Sequence, residues 1–424
     1  MGNTDTPIVF CHGLFGWGDC KLGGYPYFVS AKFLKQKMGD ALPPFIFPSM
    51  GPISSLHDRA CELFFHIKGG LTNYGIDHSK KYNHKQYSRY YHFPGICQPD
   101  VPESERSTDC FSEDEMALYP AWDEDHPLDF VGHSMGAVVI RMLQYLLETD
   151  FFYEQCGFPE HTSAKWVRSL TSIAGVHNGS TLAWVMGANE ETGLLEQHAY
   201  AVRILLRILN RYAKFQTRHP NLAKMYDLHL DQWGLDRKVP LLEILSVIQN
   251  EPDFIRDIDW ALYDLTPNAM EKYNRFLKEY PDTWYFSYVT RSTIPLFGKY
   301  EFPLFYFTRF YLWPFALSMG HYKPKSKRWR KKRIQMWRAN DGMCPSASQD
   351  YPRLGRIGKH ASLNARKKIK EKISPGIWHI RRRFRKVDHF EVAMQPHFFR
   401  LKKGWRIYEE IVKTIMLIRS YADS

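Results

Sequence analysis

Phe130-Val131-Gly132-His133-Ser134-Met135-Gly136 constrains this chain more than any other stretch, because an apolar strand runs directly into a G-x-S-x-G turn. Glycines two residues either side of Ser134 let a strand turn sharply into a helix and lift the serine oxygen clear of the sheet. The helix that such a corner requires follows at once: residues 137–147 hold neither Gly nor Pro and are mostly apolar. A bare pentapeptide also fits an ordinary tight turn, but these flanks make Ser134 the candidate nucleophile.

A serine nucleophile needs a base, and the base needs an orienting acid. Asp341 lies in Arg338-Ala339-Asn340-Asp341-Gly342, a turn sequence suited to the C-terminal end of a strand, and His389 follows in Val387-Asp388-His389-Phe390-Glu391. Most of the 18 histidines must be surface or core residues; the chain order Ser, Asp, His singles out His389. Asp388 is a rival orienter, but it adjoins His389 and should point elsewhere, so Asp341 is preferred. An oxyanion hole takes two backbone N–H groups, one from the residue after the nucleophile. That residue is Met135, and Leu14 is the natural second donor, from the His12-Gly13-Leu14 loop after the apolar run Ile8–Cys11.

At this point the chain resembles the secreted bacterial lipases of the Staphylococcus and thermoalkalophilic Geobacillus type, lipase family I.5. The matching stretches are Pro7 to Gly18, Gly51 to Ser55 with Asp58-Arg59-Ala60-Cys61-Glu62, Tyr74 to His84, Gly132 to Gly136, His177 to Thr181, Tyr226 to Leu235, Asn340 to Gly342 and Asp388 to Glu391. The resemblance implies an α/β-hydrolase fold, with a mostly parallel central sheet and helices on both faces, acting as one domain over residues 1–424. It implies hydrolysis of acylglycerol esters at a lipid interface. It also implies a structural zinc, with Asp58, His78, His84 and Asp231 at the ligand positions, tying an insertion to the body; two carboxylates and two imidazoles make a closed tetrahedral site. The family's calcium site is doubtful here: Glu391 and Pro396 match, but Gln395 stands where the family has aspartate, and Ca²⁺ depends on carboxylate charge.

Alternation of expected strands and helices agrees with a parallel sheet. Strands are predicted near Ile8 to Cys11, Phe45 to Phe47, Leu128 to Val131, Ser169 to Ala174 and Trp284 to Val289, and helices near Tyr27 to Lys37, Leu56 to Ile67, after Ser134, and at Trp405 to Arg419. Residues 98–127, rich in Pro, Ser and acidic groups, predict an exposed acidic loop insertion. Residues 190–218 predict a lid helix with a broad apolar face, for which core packing is the alternative.

The net charge of +12 is unevenly spread. Residues 323–386 carry 22 Lys and Arg against three acidic residues, predicting a basic insertion and leaving the rest of the chain net acidic. The aromatic run Phe302 to Phe315 precedes it, and together they predict contact with an anionic membrane or lipid-droplet surface. No recognition motif supports nucleic acid. Arg309, Pro303 and Pro314 interrupt the aromatic run as a membrane span. Without a basic and apolar leader, and with seven cysteines in an odd set, the chain is expected in the cytoplasm or peripherally on an intracellular membrane or lipid surface, secretion being the alternative. Met1 to Thr6 also satisfies the pattern for myristoylation at Gly2. Three further readings stand beside the triacylglycerol lipase: a phospholipase, an acyltransferase with the same triad, or an idle membrane-binding protein.

Overall fold

A computed structural model of the chain describes residues 6–18, 26–39, 42–92, 116–196, 226–235, 258–296, 300–356, 362–364, 373–393 and 404–422, with the single residues 207, 211, 218 and 298. Seven strands form one sheet, β1 (Ile8–Cys11), β2 (Phe45–Ile46), β5 (Leu128–His133), β6 (Val167–Ile173), β7 (Trp284–Arg291), β10 (Ser362–Asn364) and β11 (Trp378–Arg385). Their spatial order is β10-β11-β7-β6-β5-β1-β2, and every pairing is parallel. Two antiparallel hairpins stand outside it: β3 (Gly70–Asn73) with β4 (Tyr87–Tyr91), and β8 (Thr293–Leu296) with β9 (Tyr300–Pro303).

The central strands read as continuous apolar runs because both faces are covered, as parallel sheets require. β1 is buried throughout, and so is β5. On one face lie α2 (Leu56–Lys68) and α3 (Gly136–Glu148), whose Leu63, Phe64, Val138, Leu143 and Leu147 are wholly buried. On the other, α1 (Ala31–Met38) and the terminal helix Gly404–Ala422 pack Leu34, Ile411, Val412 and Ile415 against Phe10 and Phe286. Each such side chain contributes roughly 1.5–3 kcal/mol by leaving water. Ser55 caps α2 by accepting from Asp58 N, and Gly69, at φ +98°, ends it.

Two expectations change. The end of the acidic segment is anchored to the fold rather than free of it: Trp122 is buried, donating to Trp166 O, and Tyr119 N bonds Ile67 O at the end of α2, while Glu124, Asp125 and His126 stay exposed. Residues 98–115 of that segment lie outside the described residues, as does Gly2. The basic stretch is not wholly an insertion, since Trp378–Arg385 is the sheet strand between β7 and β10. The lid segment falls mostly outside the described residues: residues 190–196 form a turn, and of 197–218 only 207, 211 and 218 are described, each helical.

Candidate active site

Ser134 occupies the corner between β5 and α3 with φ +56°, a left-handed conformation that costs a non-glycine residue on the order of 1–3 kcal/mol. The flanking glycines are needed on steric grounds. A Cβ on Gly132 would lie 2.4 Å from Ala137 N, and one on Gly136 2.3 Å from Cys11 O. Ser134 N bonds Ile173 O at the end of β6 at 2.9 Å, fixing the corner to the neighbouring strand.

His389 and Asp341 come together beside it. His389 Nδ1 lies 2.8 Å from Asp341 Oδ2, and His389 N donates to Asp341 O at 3.0 Å. Asp341 is fully buried and saturated with donors. Thr290 Oγ1 (2.6 Å) and Gln349 Nε2 (3.0 Å) reach Oδ2, and the N–H groups of Met343 (3.1 Å) and Cys344 (2.8 Å) reach Oδ1. Burial alone would raise its pKa, but the adjacent His389 and these hydrogen bonds outweigh it and hold the carboxyl below its ordinary value. Asp388 does point elsewhere: it accepts from Arg309 N at 3.0 Å and pairs with the Arg309 guanidinium, securing the aromatic segment to the His389 loop.

Ser134 and His389 line one cavity of about 260 Å³, whose walls, among them Leu14, Leu182, Met186 and Leu195, are overwhelmingly apolar. At its edge the neighbouring donors are engaged: Gly13 N to Tyr27 Oη (3.2 Å) and Phe15 N to Pro52 O (2.9 Å). Leu14 N–H and Met135 N–H, by contrast, find no acceptor among the described residues. Beneath this loop Arg59, fully buried, donates to His12 O at 2.6 Å. Burial brings its pKa down to about 10, still far above neutrality.

A second polar group gathers at the start of α2, around Asp58. Asp58, His78 and His84 converge as expected, but the fourth member is Asp259, not Asp231. Asp231 turns its Oδ2 to Arg89, accepting from Nε at 3.0 Å with Nη2 at 2.8 Å. Its neighbour Gln232 instead donates to Asp58 Oδ2 at 3.0 Å. Asp259 arrives because Ser54 and Trp260 form a bridge, Ala261 N bonds Ile53 O, and Asp264 accepts from Leu56 N, laying this segment beside the start of α2. No local pattern around Asp259 marks it; only the chain's return to Ser54 could have.

These residues fit a cation. His78 Nε2 lies 3.0 Å from Asp58 Oδ1 and 3.3 Å from Asp259 Oδ1, and His84 Nε2 lies 3.6 Å from Asp259 Oδ2. Yet His78 Nε2, His84 Nε2 and Asp259 Oδ2 are buried without a hydrogen bond among the described residues. His84 Nδ1 is 2.8 Å from Lys85 O, which places the ring proton there and leaves Nε2 as a lone pair facing the cluster. Buried acceptors aimed at one another are the arrangement that a divalent metal resolves. Near the expected calcium position, Glu391 is buried with its N–H on Asp388, while Gln395 and Pro396 lie outside the described residues.

Residues 4–409 match the family model described as the lipase-like, C-terminal domain. The chain belongs to this lipase-like family. It is 28% identical over 367 residues to Lipase 2 of Staphylococcus aureus (strain MRSA252), covering 82% of this chain and 45% of that protein. It thus spans about half the length of the curated relatives it matches. Among solved structures it is similar to EstA from Clostridium botulinum (TM-score 0.72, 25% identity, 97% of this chain and 87% of that one). The fold also matches the lipase of Staphylococcus hyicus (TM-score 0.71, 22% identity, 100% and 98%). The staphylococcal-type resemblance therefore stands, and with it the α/β fold. The expected cytoplasmic or intracellular-surface location does not: the relatives are staphylococcal lipases, the secreted group of the resemblance, and secretion is the favoured alternative.

Proposed function

We propose that this chain hydrolyses carboxylic esters of acylglycerols as a triacylglycerol lipase, through an acyl-enzyme on Ser134. The observation that carries this reading is the shared apolar cavity: a serine held on a strained corner faces the same space as a histidine whose far nitrogen is fixed by a donor-saturated aspartate. In it, Ser134 Oγ attacks the ester carbonyl while His389 Nε2 takes its proton. The Leu14 and Met135 N–H groups receive the oxyanion. The C–O bond to the alcohol then breaks as His389 returns the proton to it. Water, deprotonated by the same histidine, releases the fatty acid and restores Ser134. Asp341 orients the ring and stabilises its cationic form.

An apolar cavity suits acyl chains, and the surface near it suits a lipid interface. Phe305 is 81% and Phe310 79% exposed, and Tyr311 stands 6.2 Å from Phe390, which lines the cavity. Lys386 lies over Phe307 and Lys323 over Tyr300, mixing cations with aromatics in the manner of interfacial anchors. Among the described residues no helix is long and apolar enough to cross a membrane. The same cations favour phospholipid as a second substrate reading. In the metal cluster the ligand chemistry favours Zn²⁺ in a structural role, since the two His and two Asp leave no open position.

The test is fatty acid release from triacylglycerol emulsions and from phospholipid vesicles by wild type and Ser134→Ala. Wild type should release fatty acid from the emulsion, and the variant should lose it by about 10⁴-fold or more. Activity confined to vesicles selects the phospholipid reading, and equal rates in both proteins refute Ser134 as the nucleophile.

A further inference from the structure

Two buried residues used nowhere in that mechanism connect its two halves. Tyr27 Oη accepts from Gly13 N at 3.2 Å and lies 2.7 Å from His133 Nδ1; His133 Nε2 lies 3.0 Å from His389 O. Tyr27 is 4% exposed, at the wall of the cavity, and His133 is fully buried. For a neutral imidazole one assignment of protons satisfies every contact. His389 O can only accept, so His133 carries its proton on Nε2; Nδ1 is then the acceptor for the Tyr27 hydroxyl, whose oxygen receives Gly13 N–H. This requires a neutral imidazole, and burial, with the neighbouring His389 adding to it, lowers the His133 pKa well below the ordinary value.

From these contacts we infer that Tyr27 and His133 are positioning residues: a directional hydrogen-bond wire that sets the oxyanion loop at a fixed distance from the catalytic histidine. Its ends are informative. Gly13 precedes Leu14, the candidate oxyanion donor, and His133 precedes Ser134, while the last link is the backbone of His389 itself. The His389 main chain is thus held on both sides, its N–H by Asp341 O and its C=O by His133. Packing keeps Tyr27 aimed along this line, with Trp17 edge-on at 5.3 Å and Phe28 at 4.8 Å. An oxyanion hole stabilises charge only if its donors stand where the oxyanion forms rather than where the ground-state carbonyl lies, so a strut between loop and base bears on kcat more than on substrate affinity.

The inference rests on the ester-hydrolase reading for its kinetic consequence but not for its structural one, and the experiment separates them. Tyr27→Phe keeps the ring and removes the hydroxyl; His133→Asn keeps an acceptor near Nδ1 but cannot reach His389 O; His133→Gln can restore that donor. Hydrogen exchange is followed in the 12–18 and 387–393 segments, with β6 as control. Either Tyr27→Phe or His133→Asn should reduce protection at both ends while β6 is unchanged; loosening only at the mutated end would overturn the wire. On a soluble short-chain ester, with rates normalised to titrated active sites, Tyr27→Phe should lower kcat about ten- to a hundredfold, less than loss of a direct oxyanion donor, with KM within about twofold. The double variant Tyr27→Phe/His133→Asn should lose no more than the worse single variant, and His133→Gln should recover part of the loss. Unchanged kcat per titrated site, or additive losses, would reduce both residues to packing. Wild type inert on esters would instead refute the hydrolase reading, and the exchange result would still decide the wire.

Discussion

Asp341 and Asp259 are both buried carboxylates facing histidine, yet their surroundings differ in kind. Asp341 receives five hydrogen bonds, from His389, Thr290, Gln349 and two backbone N–H groups, and is complete with protein atoms alone. Asp259 meets His78 and His84 with Oδ2 unbonded and both Nε2 atoms unbonded, among the described residues. Burying polar atoms unpaired costs about 1–3 kcal/mol each, a cost that a cation bound among these atoms would remove. The first carboxylate is held in one geometry by protein donors; the second belongs to a group that could hold a metal ion.

Removing charge from each should therefore act on different observables. Asp341→Asn presents an amide to donors that expect a carboxylate and leaves His389 in the wrong tautomer, so kcat should fall by about 10⁴-fold while metal content is unchanged. Loss of only a fewfold would mean that another acid, with Asp388 the nearest, orients the histidine.

The corner at Ser134 was legible because its requirement is local: two small residues, an apolar strand before them and a helix after. β5, β6, β7 and the terminal helix followed from apolar runs in the same way. β11 was not legible, since Arg381-Arg382-Arg383 looks like a solvated run. Its charges are met only in the fold, by Glu410 3.0 Å from Arg382 and Asp350 2.5 Å from Arg383, with Ile380 and Phe384 turned inward. Trp122 failed similarly, an apolar residue in an acidic stretch whose partner Trp166 is 44 residues away. Asp259 shows the limit of motif matching: the idiosyncratic Leu230-Asp231-Gln232-Trp233 segment does reach the metal cluster, but through Gln232, one residue on.

That one-residue difference gives the next test. Asp259→Asn should reduce bound zinc from about one per chain to a small fraction and lower Tm; Asp231→Asn should keep the metal, whatever it does to the Arg89 pair. A chelator should lower the Tm of wild type and leave that of Asp259→Asn nearly unmoved. Free metal at 100 times its Kd stabilises a folded chain by about 2.7 kcal/mol, so the shift should be several degrees. Zinc retained by Asp259→Asn and lost from Asp231→Asn would reverse the assignment.

The smallest effect concerns acid. Because the folded chain holds Asp341 below its ordinary pKa, folding there is linked to proton release, and the stability gained is complete above the unfolded value of about 4. It is lost as pH falls through the lower, folded value, where the carboxyl protonates and the donors from Thr290, Gln349 and Cys344 face a neutral group. Asp341→Asn has no such proton to bind. The Tm difference between wild type and this variant should accordingly be constant from pH 7 to about 5 and narrow below about 4, the variant otherwise following the same acid denaturation. A gap that stays constant to pH 3 would mean that the donors around Asp341 stabilise its geometry without favouring its charge, and the contrast with Asp259 would then be one of packing rather than of electrostatics.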